Sequence, residues 1–192
     1  MGMAIEHLTG LYAKTPDPWN FRTSAYEDEK YRASIAALSR HHYEAILEIG
    51  CGNGELGKRL RRLADRYAGL DAVPAAIAEA RLAVPSGEFH CDFFPCPLPG
   101  GSFDLIVVSE FLYFLDEAGI ADLAERIRTA WPLAEVLSVN YTGPTGNHLQ
   151  GEPAAWMFME ALGRGYRAET VPTSGTYRID RLTPRGPGEG GV

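Results

Sequence analysis

Glu48-Ile49-Gly50-Cys51-Gly52-Asn53-Gly54 is the segment around which the rest of the chain can be arranged. The apolar run Ala45-Ile46-Leu47 leads into it. Leu56, Leu60 and Leu63 follow at spacings of four and three, with Lys58, Arg59, Arg61 and Arg62 between them. This order describes a buried strand that turns sharply into an amphipathic helix. Glycines permit the turn and leave no side chain between the backbone and a ligand, while the free N–H groups of a helix start add a polar lining. The spacing is G-x-G-x-G. The dinucleotide fingerprint G-x-G-x-x-G would need glycine at Glu55, and a carboxylate opening the helix is a poor neighbour for a pyrophosphate. A nucleotide-like ligand without phosphates is predicted, and a nicotinamide-dependent oxidoreductase is disfavoured.

Further along, Tyr67-Ala68-Gly69-Leu70 closes on Asp71, and Pro74 suits the first turn of the next helix. Phe89-His90-Cys91 reads as a short third strand, and Pro95 to Gly101 as a loop. Phe103 to Val108 is nearly continuous and β-branched, as a central strand buried on both faces should be. Ile120, Leu123, Ala124 and Ile127 mark a helix, and Glu135 to Val139 a fifth strand. The alternation predicts an α/β fold, a Rossmann-like, doubly wound, mostly parallel sheet. Ser24-Ala25-Tyr26-Glu27 has the form of a capping box and opens a helix to about Ser39, with Tyr31, Ile35 and Leu38 on one face. The rigid turn Pro16-Asp17-Pro18-Trp19 precedes it. Pro153 to Leu162 reads as helix, and Tyr166 to Val171 with Thr176 to Arg181 as an antiparallel C-terminal hairpin. The predicted organisation is a short helical cap over 1–40, one domain over 41–184 and a disordered tail over 185–192.

The 192 residues, 45% hydrophobic and 22% charged, suit one folded domain. With 18 Lys+Arg against 25 Asp+Glu the formal charge is −7, the wrong sign for a surface that tracks phosphates, so nucleic acid is not an expected partner. The sequence lacks a signal-peptide core and any apolar run near the ~20 residues of a membrane span, so a cytoplasmic protein without a membrane partner is expected. Cys51, Cys91 and Cys96 are odd in number with no C-x-x-C pair, which predicts buried free thiols and no metal site. Nothing in the sequence specifies an oligomeric state.

Asp71 ends its strand about twenty residues beyond Gly50, where a carboxylate either accepts from ribose hydroxyls or caps the following helix. Asp92 and Phe93, after the third strand, either meet an adenine amino group and cover its ring or form a turn beside the core. Three successive strand ends with such groups favour one ligand crevice. Among the remaining residues, His41 and His42 are read as ending a helix, His7 as lying in a mobile terminus and His90 as a sheet residue. Arg59, Arg61 and Arg62 are read as a solvated helix face.

These motifs, together with Leu98-Pro99-Gly100-Gly101-Ser102-Phe103-Asp104-Leu105-Ile106, resemble the successive motifs of class I S-adenosylmethionine-dependent methyltransferases across residues 44 to 140. Asp17-Pro18-Trp19, Ser24-x-Tyr26-Glu27-x-x-Lys30 and Ser109-Glu110-x-Leu112-Tyr113-x-Leu115 resemble the nodulation-type N-methyltransferases, which methylate the amino group of a glucosamine unit. The resemblance implies S-adenosyl-L-methionine as cofactor, with Gly50, Gly52 and Gly54 at its methionine portion, Asp71 at the ribose and Asp92 with Phe93 at the adenine. Trp19 and Lys30 would close over it, Lys30 facing the methionine carboxylate. Glu48, Cys51, Asn53, Ala72, Val73 and Ser109 complete the expected cofactor site.

The connection Trp131-Pro132-Leu133-Ala134 departs from the family's glycine turn, which leaves the end of the preceding helix open. The expected reaction is N-methylation of a small polar acceptor, an amino sugar first. A small-molecule O-methyltransferase and a non-catalytic cofactor-binding regulator are the rivals. In-line methyl transfer from a sulfonium can be driven by alignment alone. Glu110 and His148 are the candidate acceptor-side base or orienter, His148 being otherwise a solvated loop residue. Tyr113 and Tyr141 are the candidate acceptor contacts, Tyr113 being otherwise packing or lid.

Overall fold

The computed structural model describes residues 5–186. Its centre is the strand most continuous in apolar sequence, β4 (Leu105–Ser109), all five residues of which are buried. β1 (Tyr43–Ile49) lies parallel beside it and β2 (Ala64–Asp71) and β3 (Glu88–Cys91) follow outward. On the other side come β5 (Glu135–Tyr141), parallel, then β7 (Tyr177–Pro184) and β6 (Tyr166–Val171), antiparallel. The order β3-β2-β1-β4-β5-β7-β6 reverses direction between β1 and β4, so a crevice opens at the carboxyl ends of these two strands.

Because side chains alternate along a strand, Leu47, Ile49, Ile106, Val108 and Val136 face one layer, and Ile46, Leu105, Val107, Leu137 and Val139 the other. The first layer is closed by α5 (Glu117–Ala130), through Ile120, Leu123, Ala124 and Ile127, and by α6 (Gly151–Leu162), through Ala154 and Phe158. The second packs under α2 (Ala25–Ala36), α3 (Gly57–Leu60) and α4 (Pro74–Ala83), which contribute Tyr31, Leu60, Ile77 and Ala80. Asp104 ties the starts of β1 and β4 together, accepting from the N–H groups of Glu44 and Ala45 and from Arg40.

Ser24 caps α2 as its sequence predicted, accepting from the N–H of Glu27 at 3.3 Å, but the helix ends at Ala36. His41 and His42 are therefore exposed linker residues rather than helix-end ones. The helix expected after the glycine loop is only the single turn of α3 followed by a 3-10 turn over Arg61–Leu63. Gly57 packs directly over Tyr67, and β2 begins already at Ala64, so no length is left for a longer helix. Arg59 is not a solvated residue: it pairs with Asp28 at 2.6 Å and lies over the Tyr31 ring, joining α3 to α2.

A helix not expected from the sequence, α1 (Ile5–Lys14), carries His7. Its Leu8 and Tyr12 pack on Val73 and Ala76 of the α4 start. Cys51 and Cys96 are buried, but Cys91, at the end of an edge strand, is exposed. α5 ends at Ala130, and the Trp131 indole N–H donates to the Gly101 carbonyl at 2.8 Å. Of the expected tail, 187–192 lies outside the described residues, while Arg185 donates its N–H to the Gly165 carbonyl.

Candidate functional site

The glycine loop connects β1 to α3 at the reversal of the sheet, and Gly50, Gly52 and Gly54 all have left-handed φ values of +84, +50 and +81 degrees. They are not equivalent. A Cβ on Gly50 would fall far inside contact distance of the Ser109 carbonyl oxygen, so this glycine lets the loop lie against the end of β4. Among the described residues, a Cβ on Gly52 would meet only the Tyr12 hydroxyl, at 3.7 Å. Gly52 is thus the position of the two where the missing side chain leaves room for a ligand.

Asp71 fastens this loop. One carboxylate oxygen accepts from the N–H of Gly52 and the other from the N–H of Val73, both at 2.9 Å. Burial pushes its carboxyl up, and the N–H groups of Val73, Gly52 and Ala72 counter part of that push. Each oxygen keeps lone-pair capacity beyond its one N–H bond. The cap and ribose readings of Asp71 are therefore compatible, since the same carboxylate bonds the Val73 N–H ahead of α4 and stands at the crevice.

Glu48 is buried behind the loop, 1% exposed, and accepts from the Tyr67 hydroxyl at 2.5 Å. Burial pushes its pKa from 4.5 up to about 8, against the pull of the Tyr67 hydrogen bond. A carboxyl raised in the folded state favours folding fully below its ordinary value, and that contribution is lost as pH rises through about 8. Thermal unfolding followed from pH 5 to pH 8 should show a falling Tm whose slope is reduced in Glu48→Gln.

On the other side of the loop, Asn53 is buried and donates to Asp17 at 3.1 Å, and Asp17 also accepts from the N–H groups of Phe21 and Arg22. The Asp17-Pro18-Trp19 turn is thereby pinned to the glycine loop. Trp19 stacks on Phe21 and meets Tyr12 edge-on, and is 41% exposed. Tyr12 was missed by sequence reasoning; the Leu8/Tyr12 spacing of four was its signal. Glu55 is buried and paired with Lys58 at 2.6 Å and Arg22 at 3.4 Å, so its charge at the head of α3 is compensated. Cys51 packs over Gly69, and burial pushes its thiol well up. At the end of β3, Asp92 accepts from the N–H of Phe93, and both are exposed. An open hollow of about 490 Å³ beside Asp92 is bounded by Leu70, Phe89, Cys91, Pro97 and Pro99 among others.

The acceptor-side candidates divide. Glu110, Tyr113 and Tyr141 form one cluster at the ends of β4 and β5, whereas His148 is exposed in the loop before α6. Glu110 has a left-handed φ of +52 degrees, a strain of order 1–3 kcal/mol for a non-glycine residue. Its Oε2 accepts from the Tyr113 hydroxyl at 2.7 Å and from the Tyr141 N–H at 2.8 Å, and its Oε1 from Lys30 at 2.6 Å. Lys30 is 3% exposed and also pairs with Glu27 at 2.9 Å. Burial would push the Lys30 ammonium down, but the carboxylates of Glu110 and Glu27 outweigh it and hold it above its ordinary value. Lys30 is thus held at the end of β4 by two carboxylates, the buried Glu27 and the half-buried Glu110.

Nodulation protein S of Bradyrhizobium diazoefficiens is 37% identical over 105 residues, covering 52% of this chain and 49% of its own length. Nodulation protein S of Sinorhizobium fredii is 31% identical over 129 residues, covering 65% of this chain and 56% of its own. The chain therefore spans about half the length of these curated relatives. Among solved structures, the N-methyltransferase NodS of Bradyrhizobium japonicum in complex with S-adenosyl-L-homocysteine superposes with a TM-score of 0.75 at 19% identity, covering 93% of this chain and 97% of that one, which shows the same fold. The family model for nodulation protein S (NodS) matches residues 8–133, about two thirds of the sequence. The chain belongs to the NodS family.

Proposed function

We propose that this chain is an S-adenosylmethionine-dependent methyltransferase acting on nitrogen of a small polar acceptor, with an amino sugar as the first candidate. The observation that carries the reading is the Gly52 opening fastened by Asp71 at the carboxyl edge of the sheet. The residues present fit the cofactor. Gly52 leaves the approach to the loop backbone open, Asp71 keeps acceptor capacity for ribose hydroxyls, and the hollow beside Asp92 is large enough for a nucleobase. Glu55 stands where the dinucleotide fingerprint needs its third glycine, which disfavours a dinucleotide at the same loop.

S-adenosylmethionine supplies a sulfonium-activated methyl group. The protein's part is to bind and align it: Gly50, Cys51, Gly52, Asn53 and Gly54 with Ser109 form the floor, Asp71, Ala72 and Val73 the ribose edge, and Asp92 and Phe93 the base end. Glu48 supports the floor from behind. Residues 1–40 act as a cap on the 41–184 domain, supported by the Asp17–Asn53 and Lys30–Glu110 contacts that reach across from it. The free thiols Cys51, Cys91 and Cys96 fit the reducing conditions of cytoplasm.

Thermal unfolding with and without S-adenosylhomocysteine tests the reading. At 100 times its Kd the product should stabilise the wild type by about 2.7 kcal/mol, roughly 5–11 °C. Asp71→Ala should lose most of this shift, and NADH should give none. No shift with saturating S-adenosylhomocysteine would remove the cofactor assignment with all its residues. If turnover is found with alcohols and with no amine, the oxygen-methylating reading replaces the nitrogen one.

A further inference from the structure

We infer that Lys30 and Glu110 are positioning residues that set the Tyr113 phenol oxygen to accept a hydrogen bond from the N–H of the acceptor, and that the chain aligns a neutral amine without supplying a base. This rests on the methyltransferase reading above and deepens it.

The Tyr113 hydroxyl proton is directed at Glu110 Oε2, which leaves the phenol oxygen only lone pairs to offer, so its partner in a complex must be a donor. Glu110 is poorly placed to take a proton from the acceptor. Oε2 already holds two donors, the Tyr113 hydroxyl and the Tyr141 N–H, and a proton on Oε1 would lie against the Lys30 ammonium. Tyr113 cannot serve instead, since burial, then the charges of Glu110 and Glu27, push its phenol well above its ordinary value. The other groups around it are Tyr26 and Lys30 of α2, and neither is a neutral-pH base.

The left-handed backbone at Glu110 matters because it turns the carboxylate toward three separate elements at once. These are α2 through Lys30, the turn after β4 through Tyr113, and the end of β5 through the Tyr141 N–H. Lys30 holds one oxygen of the carboxylate, the other holds the phenol, and Tyr113, buried in the turn that follows β4, stands at the carboxyl end of the sheet.

The step balances with a neutral amine. Its nitrogen lone pair forms the N–C bond, the C–S bond breaks with its electron pair going to sulfur, and the sulfonium charge reappears as a methylated ammonium. That ammonium loses its extra proton to water after transfer.

The test uses the full chain with S-adenosylmethionine and two sugar amines of different basicity, D-glucosamine and 6-amino-6-deoxy-D-glucose. These stand near the α-amino value of about 8 and toward the lysyl value of about 10.4, respectively. S-adenosylhomocysteine stabilisation is measured alongside. The ascending limb of kcat/KM against pH should move upward with the more basic acceptor. Tyr113→Phe and Lys30→Met should each lower kcat by about 10²-fold, the cost of a small misplacement, with the stabilisation by S-adenosylhomocysteine retained. The double variant should fall little below Tyr113→Phe alone, because both act through one contact.

A limb fixed at one pH for both amines and abolished in His148→Ala would overturn the inference by exposing an enzyme base. Loss of S-adenosylhomocysteine stabilisation in Tyr113→Phe would overturn it by showing a merely structural role. Failure to methylate either amine while S-adenosylhomocysteine still stabilises the wild type also overturns it and leaves the cofactor reading standing. No stabilisation of the wild type removes both.

Discussion

Gly50→Ala is expected to destabilise the protein by about 2–5 kcal/mol, combining 1–2 for a left-handed non-glycine residue with 1–3 for overpacking. The added methyl group has nowhere to go, since the Ser109 carbonyl lies at its position and is itself fixed in the β4 ladder beside β5. Relief would require the end of β4 to move, and with it Glu110 and the contacts it gathers. Gly52→Ala is the matched control. Its methyl meets only the Tyr12 hydroxyl at 3.7 Å, so the fold should lose only the backbone strain of about 1–2 kcal/mol. Thermal unfolding of both variants, with and without S-adenosylhomocysteine, separates the two roles. Gly50→Ala should show the lower Tm, and Gly52→Ala should keep most of its stability while losing the response to ligand. Equal Tm values in the two variants would show that the approach of the loop to β4 is not the constraint described.

The second large effect is expected at Asp180, on β7. It is fully buried and accepts from Arg178 Nε at 2.7 Å and from the Thr170 hydroxyl at 2.6 Å, while Arg178 lies over the Trp156 ring of α6. Asp180→Ala leaves a buried guanidinium without its counter-charge, a loss of about 3–5 kcal/mol, which corresponds to roughly 6–20 °C in Tm for a chain of this size. Replacing the pair together, Arg178→Met with Asp180→Leu, should recover most of that loss. Stability unchanged in Asp180→Ala would mean that water or Glu152, 3.6 Å from Arg178, takes over the charge.

The parallel half of the sheet was legible because its strands contain short apolar runs, β1 closed by Gly50, β2 by Asp71, and β3 and β4 separated by a proline-rich loop. β4 in particular reads directly from Leu105-Ile106-Val107-Val108. The C-terminal hairpin was legible from its two β-rich runs, though not its insertion order, since nothing in Tyr177 to Pro184 indicates that this strand and not Tyr166 to Val171 lies against β5. α1 escaped because a ten-residue helix containing Gly10 has little intrinsic propensity and forms by packing on α4. The shortening of α3 was hidden because its leucine spacing is helical, and only the packing of Gly57 on Tyr67 shows why it stops.

At the site, the glycine loop and Asp71 could be read from local spacing. The pairing of Lys30 with Glu110 could not, because the two lie far apart in sequence and charge alone does not say which carboxylate a lysine will meet. The same reason hides the pinning of Asn53 by Asp17. Placing Cys91 on an edge strand, and so in the open, needed the strand order rather than the strand itself.

The insertion of β7 between β5 and β6 has a consequence for how the chain is made. β5 is complete once Tyr141 has been synthesised, yet the strand that covers its outer edge begins only at Tyr177. Until then β5 presents a row of unpaired amides and carbonyls beside the apolar residues Val136, Leu137 and Val139, the kind of edge on which nascent chains associate. Chains ending near Leu162 and carried clear of the ribosome by a C-terminal linker should therefore engage holding chaperones, and chains extended through Pro184 on the same linker should let them go, because β7 covers β5 only once it is free to pair.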